Sequence, residues 1–127
     1  MNERIQWIQY KGKRILFVDA SNLREEDKFL KLLEDAEAEI VVQPKGHAIL
    51  TLFYSPNSLV TKAIADRSKQ VFANAKTNGI PTGPTAWVGS SGFQKAVVSA
   101  MQYFIKEIHI AESIEAAKDW LADQEIK

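Results

Sequence analysis

Short apolar runs alternate with longer amphipathic segments along this chain, and this alternation constrains the fold more than any other sequence feature. Runs with the pattern of β-strands lie at 4–10, 14–20, 47–54, 84–89 and 107–111. Segments with the three- and four-residue apolar spacing of helices extend from an Asn22–Glu25 cap to about Val42, and over 59–79, 92–104 and 113–124. The order ββαβαβαβα predicts an α/β fold.

The strand order indicates how the sheet is built. The run 14–20 is almost continuously apolar, which is typical of a strand buried on both faces. The turn 11–13, Lys-Gly-Lys, predicts a hairpin that sets the first strand antiparallel to it. The other strands are separated by helices, which predicts right-handed crossovers between parallel strands. We therefore expect one domain over 1–127, with a mainly parallel five-stranded sheet and an antiparallel first strand.

Composition narrows the class of protein. The 127 residues suit a single domain with its own core, and 16 basic residues balance 16 acidic ones. This balance argues against a nucleic-acid binder, which usually carries a basic excess. The lack of cysteine excludes disulfides and thiolate sites. Without a signal-like apolar segment or a run of roughly 18 apolar residues, the sequence predicts a cytoplasmic protein with no integral membrane association.

Three stretches carry a likeness to a known family. They are YKGKRILFVDASNL (10–23), TAWVGSSGFQKAVVSAMQYF (85–104) and SIEAAKDWLA (113–122). In these stretches the chain resembles the SpoIIAA-like family, which is related to STAS domains and has been compared with the lipid-binding CRAL-TRIO type. The resemblance implies a small α/β domain that engages a protein partner or an apolar ligand.

The resemblance also implies a region for a phosphorylation switch. In STAS domains of the anti-sigma antagonist type, the switching serine follows the third strand, in an Asp-Ser-Ser/Thr-Gly-like motif. The matching segment here is LFYSPNSLV (52–60), which contains Ser55 and Ser58 but lacks the Asp and the Gly. Phosphate at a helix N-terminus is favoured by the helix dipole, whereas the alternative is that both serines only form the turn.

The turn Gly89-Ser90-Ser91-Gly92 lies between a predicted strand and a predicted helix. Backbone N–H groups at such a point can hold an anion, and the two hydroxyls add donors. A P-loop would place Lys and Ser/Thr directly after the second glycine, and this chain has Phe93 there. The alternative is that a serine caps the helix and the glycines only fit the turn.

The titratable side chains are not spaced like the acid, base and nucleophile of a catalytic site. Asp19 ends a strand predicted to be buried, where open α/β sheets bind ligands, but a hydrogen bond to the next loop is the alternative. His47 and His109 lack a carboxylate partner at a recognisable spacing and fit structural or surface positions. We expect no catalytic set, no metal and no cofactor.

Aromatic residues supply the last candidate site. Tyr54 and Trp87 end two predicted βα units, so they are candidates to line an apolar pocket, although aromatics more often fill a core. The sequence therefore predicts a non-catalytic binding or regulatory domain for a protein partner or a small apolar or anionic ligand. The alternatives are an enzyme that uses the Gly89–Gly92 turn as an anion or oxyanion site, and a homodimer formed through exposed aromatics.

Overall fold

The structure is a computed structural model, and it describes residues 3–46, 49–59, 61–80, 84–89 and 108–124. The described strands and helices are β1 (Ile5–Tyr10), β2 (Lys13–Asp19), α1 (Glu26–Val41), β3 (Leu50–Tyr54), α2 (Lys62–Thr77), β4 (Thr85–Val88), β5 (Ile108–Ala111) and α3 (Ile114–Ala122). Their order confirms the predicted α/β class. The helix predicted over 92–104 lies outside the described residues.

The five strands form one sheet in the order β1-β2-β3-β4-β5. β1 pairs antiparallel with β2, and each later pair is parallel, as predicted. The hairpin between β1 and β2 turns through Lys11 and Gly12, whose φ angles are 51° and 79°. Two consecutive positive φ angles match the twist of the flanking strands, so this two-residue turn sets the β1–β2 register.

The sheet has two faces, and successive residues of each strand alternate between them. The face covered by α1 and α2, here the α1–α2 face, carries Leu16, Val18, Phe53, Trp87 and Ile108. The face covered by α3, here the α3 face, carries Ile15, Leu52, Ala86, Val88 and Ala111. Both sets are buried, so the sheet is the middle layer between two cores.

Side-chain caps begin two of the three described helices. The hydroxyl of Thr61 accepts from the N–H of Ile64 at the start of α2, and Ser113 accepts from Ala116 at the start of α3. The predicted Asn22 cap of α1 is wrong, because Glu25 is the N-cap residue and makes no side-chain cap bond. Among the described helices, none has the length and apolar character needed to cross a membrane.

Candidate functional site

The carboxyl ends of β2, β3 and β4 lie at one edge of the sheet, and backbone hydrogen bonds join their loops. The N–H of Asn22 donates to the carbonyl of Pro56 at 2.9 Å. The N–H of Leu59 donates to the carbonyl of Leu23 at 2.7 Å. These bonds satisfy backbone groups that a ligand at the same edge would otherwise contact.

The carboxylate of Asp19 is held within this edge. Its Oδ1 accepts from the backbone N–H of Ser21 at 2.9 Å and from the Ser21 hydroxyl at 2.6 Å. Arg4 crosses from β1 and donates to the carbonyls of Asp19 and Ser21 at 3.0 and 2.9 Å. Asp19 therefore orders the loop that follows its own strand, which is the alternative that the sequence left open.

Ser55 and Ser58 are buried, with exposed fractions of 0% and 2%. The indole N–H of Trp87 donates to Ser55 Oγ at 2.6 Å, and the Ser58 hydroxyl donates to the Ser55 carbonyl at 2.8 Å. Phosphoryl transfer to either hydroxyl requires the loop after β3 to open first. Phosphorylation at these serines stays a prediction.

Gly89 is required by a close approach of the protein backbone. Its φ is +88°, and a Cβ built on it would lie 2.7 Å from the nitrogen of Pro56. Both the angle and the distance exclude a side chain, so the loop after β3 occupies the space beside this glycine. Ser90, Ser91 and Gly92 lie outside the described residues, and an anion site at this turn stays a prediction.

The structure separates Tyr54 from Trp87. Tyr54 lies on the α3 face and stacks on Phe17, with 6.3 Å between ring centroids. Trp87 lies on the α1–α2 face and contacts Phe53, with 4.5 Å between centroids. Because β3 and β4 pair Tyr54 with Val88, these two aromatic residues differ in parity and cannot line one cavity.

An apolar cavity of about 60 Å³ lies between the sheet and the helices α1 and α2. Of the two aromatic candidates from the sequence, Trp87 contributes to its wall and Tyr54 does not. Other lining residues include Val18, Leu33, Phe53, Val71 and Ile108. We did not predict from the sequence that α1 and α2 contribute to this wall, although the apolar stripes of both helices could have indicated it.

The polar side chain of Ser68 also borders the cavity, but its hydroxyl donates to the backbone of its own helix and not into the cavity. Ser68 is 4% exposed, and its Oγ donates to the carbonyl of Ile64 one helical turn earlier, at 2.9 Å. The atoms that face the cavity are almost all apolar. The cavity therefore offers contact surface but scarcely any hydrogen-bonding partner.

The groups with perturbed pKa values lie in ion pairs away from the cavity. Hydrogen bonds from Arg67 lower the pKa of the Glu37 carboxyl, where α1 meets α2. A hydrogen bond from the Tyr10 hydroxyl lowers the pKa of Asp119, and Lys11 adds to the effect. Structural ion pairs account for these shifts, so they do not mark a catalytic centre.

The histidines and metal ligands give no further site in the part of the chain that the structure describes. His109 stacks on Trp120 with 4.6 Å between ring centroids and an interplanar angle of 11°. His47 lies outside the described residues. Among the described residues, no group of three or more His, Asp or Glu side chains is placed to hold a metal ion.

Comparisons with protein-family models, with curated proteins and with solved structures found no match for this chain. The resemblance to the SpoIIAA-like family therefore stays a prediction from the sequence. The backbone at the carboxyl ends of the strands is bonded within the protein, whereas the cavity offers apolar contact surface.

Proposed function

We propose that this chain is a non-catalytic binding domain that holds a small apolar ligand between the sheet and α1–α2. The observation that carries the proposal is the cavity of about 60 Å³ with an almost wholly apolar wall. A water molecule needs roughly 10–15 Å³ and two or more polar partners, and an apolar cavity of about 150 Å³ binds benzene or xenon. The space here suits a ligand of a few heavy atoms, or the end of a longer chain.

The wall also indicates the chemical class of the ligand. Burying a polar group without a hydrogen bond costs roughly 1–3 kcal/mol by mutational data, and a buried unpaired charge costs much more. Because the Ser68 hydroxyl donates to Ile64, it has no donor left for such a group. We infer that the occupant is hydrocarbon where it contacts Phe53, Trp87 and Val71, and that any charged group stays outside.

The resemblance to SpoIIAA-like domains, which have been compared with a lipid-binding type, supports an apolar ligand. The alternative is an enzyme that uses the Gly89–Gly92 turn. Asp19 ends β2 and Ser55 follows β3, and each takes part in a hydrogen bond that orders the fold. We also propose, from the sequence, that the chain is cytoplasmic and that a protein partner is the other candidate for what it binds.

The direct test is a titration with xenon and with n-butane, in which the methyl NMR signals of Leu33 and Val71 report binding. Butyrate serves as a charged probe of the same chain length. We expect the two methyl signals to shift saturably with xenon and with n-butane, and to stay in place with butyrate. The reason is that only uncharged probes avoid the desolvation cost in an apolar wall.

A matched pair of variants on α1 locates the effect. Ala36 lines the cavity, whereas Ala38 is exposed on the same helix. We expect Ala36→Val to abolish the saturable shifts and Ala38→Val to leave them unchanged. Shifts that persist in Ala36→Val would place the ligand elsewhere, and a chain that responds to neither xenon nor n-butane does not bind apolar ligands in this cavity.

A further inference from the structure

In the part of the chain that the structure describes, the outer edge of β1 lacks the features that usually protect an edge strand. Its six residues, IQWIQY, contain no charge, no proline and no glycine. All six pair with β2 in unbroken register, so no bulge twists the edge away. Natural edge strands are usually short, charged, bulged or covered, because unpaired N–H and C=O groups attract another strand. Within the described ranges, no strand pairs with this side of β1.

The hydrogen bonding of β1 shows which backbone groups face outward. The N–H of Asp19 donates to the carbonyl of Arg4 at 2.8 Å, so the backbone N–H and C=O groups of Arg4 point toward β2. In an antiparallel pair every second residue points the same way. The N–H and C=O groups of Ile5, Trp7 and Gln9 therefore point away from β2, toward the outer edge.

We propose that a second copy of this chain adds its own β1 to this edge, antiparallel, with Trp7 on the two-fold axis. In that register Trp7 pairs with itself and Ile5 pairs with Gln9 of the second copy, so all three outward residues are bonded. A shift by two residues in either direction leaves one of the three opposite a residue outside the strand. The pairing would join two sheets into one of ten strands, a form of β-strand addition.

Charge at the ends of the strand favours a second copy as the occupant. The same register places Glu3 opposite Lys11 of the second copy; both residues are exposed, and Lys11 also pairs with Asp119 of its own chain at 3.0 Å. A two-fold axis repeats this pair, which is the self-complementarity that a symmetric dimer requires.

Sedimentation of the full chain over a concentration series tests the dimer. We expect a mass that rises toward twice the 14.3 kDa of one chain. Gln9→Pro removes an outward N–H and no bond to β2, so we expect it to stay folded by circular dichroism and to lose the dimer. Gln9→Ala keeps that N–H and should still dimerise.

Cysteine crosslinking tests the register, because the natural chain has no cysteine. Paired residues in such a bonded position lie about 5.5 Å apart at Cα, within the roughly 4.4–6.8 Å of a disulfide. Trp7→Cys should therefore form a disulfide dimer under mild oxidation. Gln9→Cys is the matched control, because two such residues would lie four positions apart, roughly 14 Å at about 3.4 Å per residue.

A third variant avoids any disturbance of the strand. Glu3 is exposed and precedes β1, and Glu3→Lys sets two like charges together, so we expect the dimer dissociation constant to rise about two- to fivefold.

Three results would overturn the proposal: a monomer at every concentration, a dimer that persists in folded Gln9→Pro, or crosslinking as fast in Gln9→Cys as in Trp7→Cys. A monomer that instead binds an added β1 peptide would still exclude the symmetric dimer.

Discussion

The two faces of the sheet differ in how deeply their aromatic rings are buried. On the α1–α2 face, the rings of Phe29, Phe53 and Trp87 form a continuous aromatic series, with successive centroids 5.8 and 4.5 Å apart. On the α3 face, the rings of Phe17, Tyr54 and Trp120 are only half-buried, and the side chains that the nine-residue helix buries fully are Ala117 and Leu121.

This difference explains where the cavity lies. Where α3 packs on the sheet, the buried side chains are aliphatic, and flexible aliphatic side chains interdigitate closely. Large rings fill the space between a sheet and two long helices less evenly, and the cavity of about 60 Å³ lies on that face. The proposed ligand site therefore lies on the face that carries the buried rings.

The largest expected effect is the loss of an aromatic ring from the α1–α2 face. Phe29 is fully buried against Phe53, so Phe29→Ala should lower the free energy of unfolding by about 3–5 kcal/mol. Phe17→Ala is the matched change on the α3 face, where the ring is half-buried beside Tyr54, and should cost clearly less. Urea denaturation measures both, and equal losses would contradict the contrast between the faces.

The bond between Trp87 and Ser55 is the polar contact inside the aromatic series. Ser55→Ala leaves the buried indole N–H of Trp87 without its acceptor, and should lower the free energy of unfolding by about 1–3 kcal/mol. Once Trp87→Phe has removed the donor, adding Ser55→Ala should cost less. A double-mutant cycle in urea measures this coupling, and strictly additive losses would show that the contact contributes nothing specific.

A single substitution placed on each face compares their packing directly. Ala117→Val adds atoms at a fully buried position of α3, and should lower the free energy of unfolding by about 1–3 kcal/mol. Ala36→Val adds the same atoms beside the cavity, and should cost clearly less. Ala38 is exposed on α1, so the loss in Ala38→Val reports only the lower helix propensity of valine, and it is subtracted from the losses of the other two variants. Thermal unfolding of the three variants checks the order, and a reversed order would mean that the cavity is not available for filling.

The sequence predicted the fold because apolar periodicity is a local property. The alternation of apolar runs and helical segments was enough to predict five strands and an antiparallel first pair, which the structure confirms. The predicted Asn22 cap was wrong for a tertiary reason. Asn22 has a φ of 61°, and its side chain accepts from Asn57 in the loop after β3, a contact that no local pattern contains.

The site was less accessible to sequence reasoning, because it depends on register and volume. Tyr54 and Trp87 both end βα units, but only the β3–β4 register reveals that they occupy opposite faces. The sequence left open whether Gly89 serves a turn or a close approach, and the nearness of Pro56 answers that question. The cavity depends on how α1 and α2 fit together, which periodicity cannot predict.

The smallest expected effect concerns the ion pair that joins the helices of the α1–α2 face. Glu37 on α1 accepts two hydrogen bonds from Arg67 on α2, at 3.0 and 3.1 Å, and a third from Asn74. The two charged side chains are 19% and 24% exposed, so solvent screens them only in part. Glu37→Gln should therefore lower the free energy of unfolding at neutral pH by about 1 kcal/mol.

The pH dependence of this loss separates the pair from a simple packing effect. Arg67 lowers the folded-state pKa of Glu37 below its ordinary 4.5, so the stabilisation is complete above pH 4.5 and is lost as pH falls through the folded value. The difference between the natural chain and Glu37→Gln should shrink over that interval in urea titrations. Asp119→Asn, which removes the exposed Tyr10 and Lys11 contacts of α3, should show a smaller difference that closes below pH 3.8. A Glu37→Gln difference that is constant down to the acid limit would assign its effect to shape rather than charge.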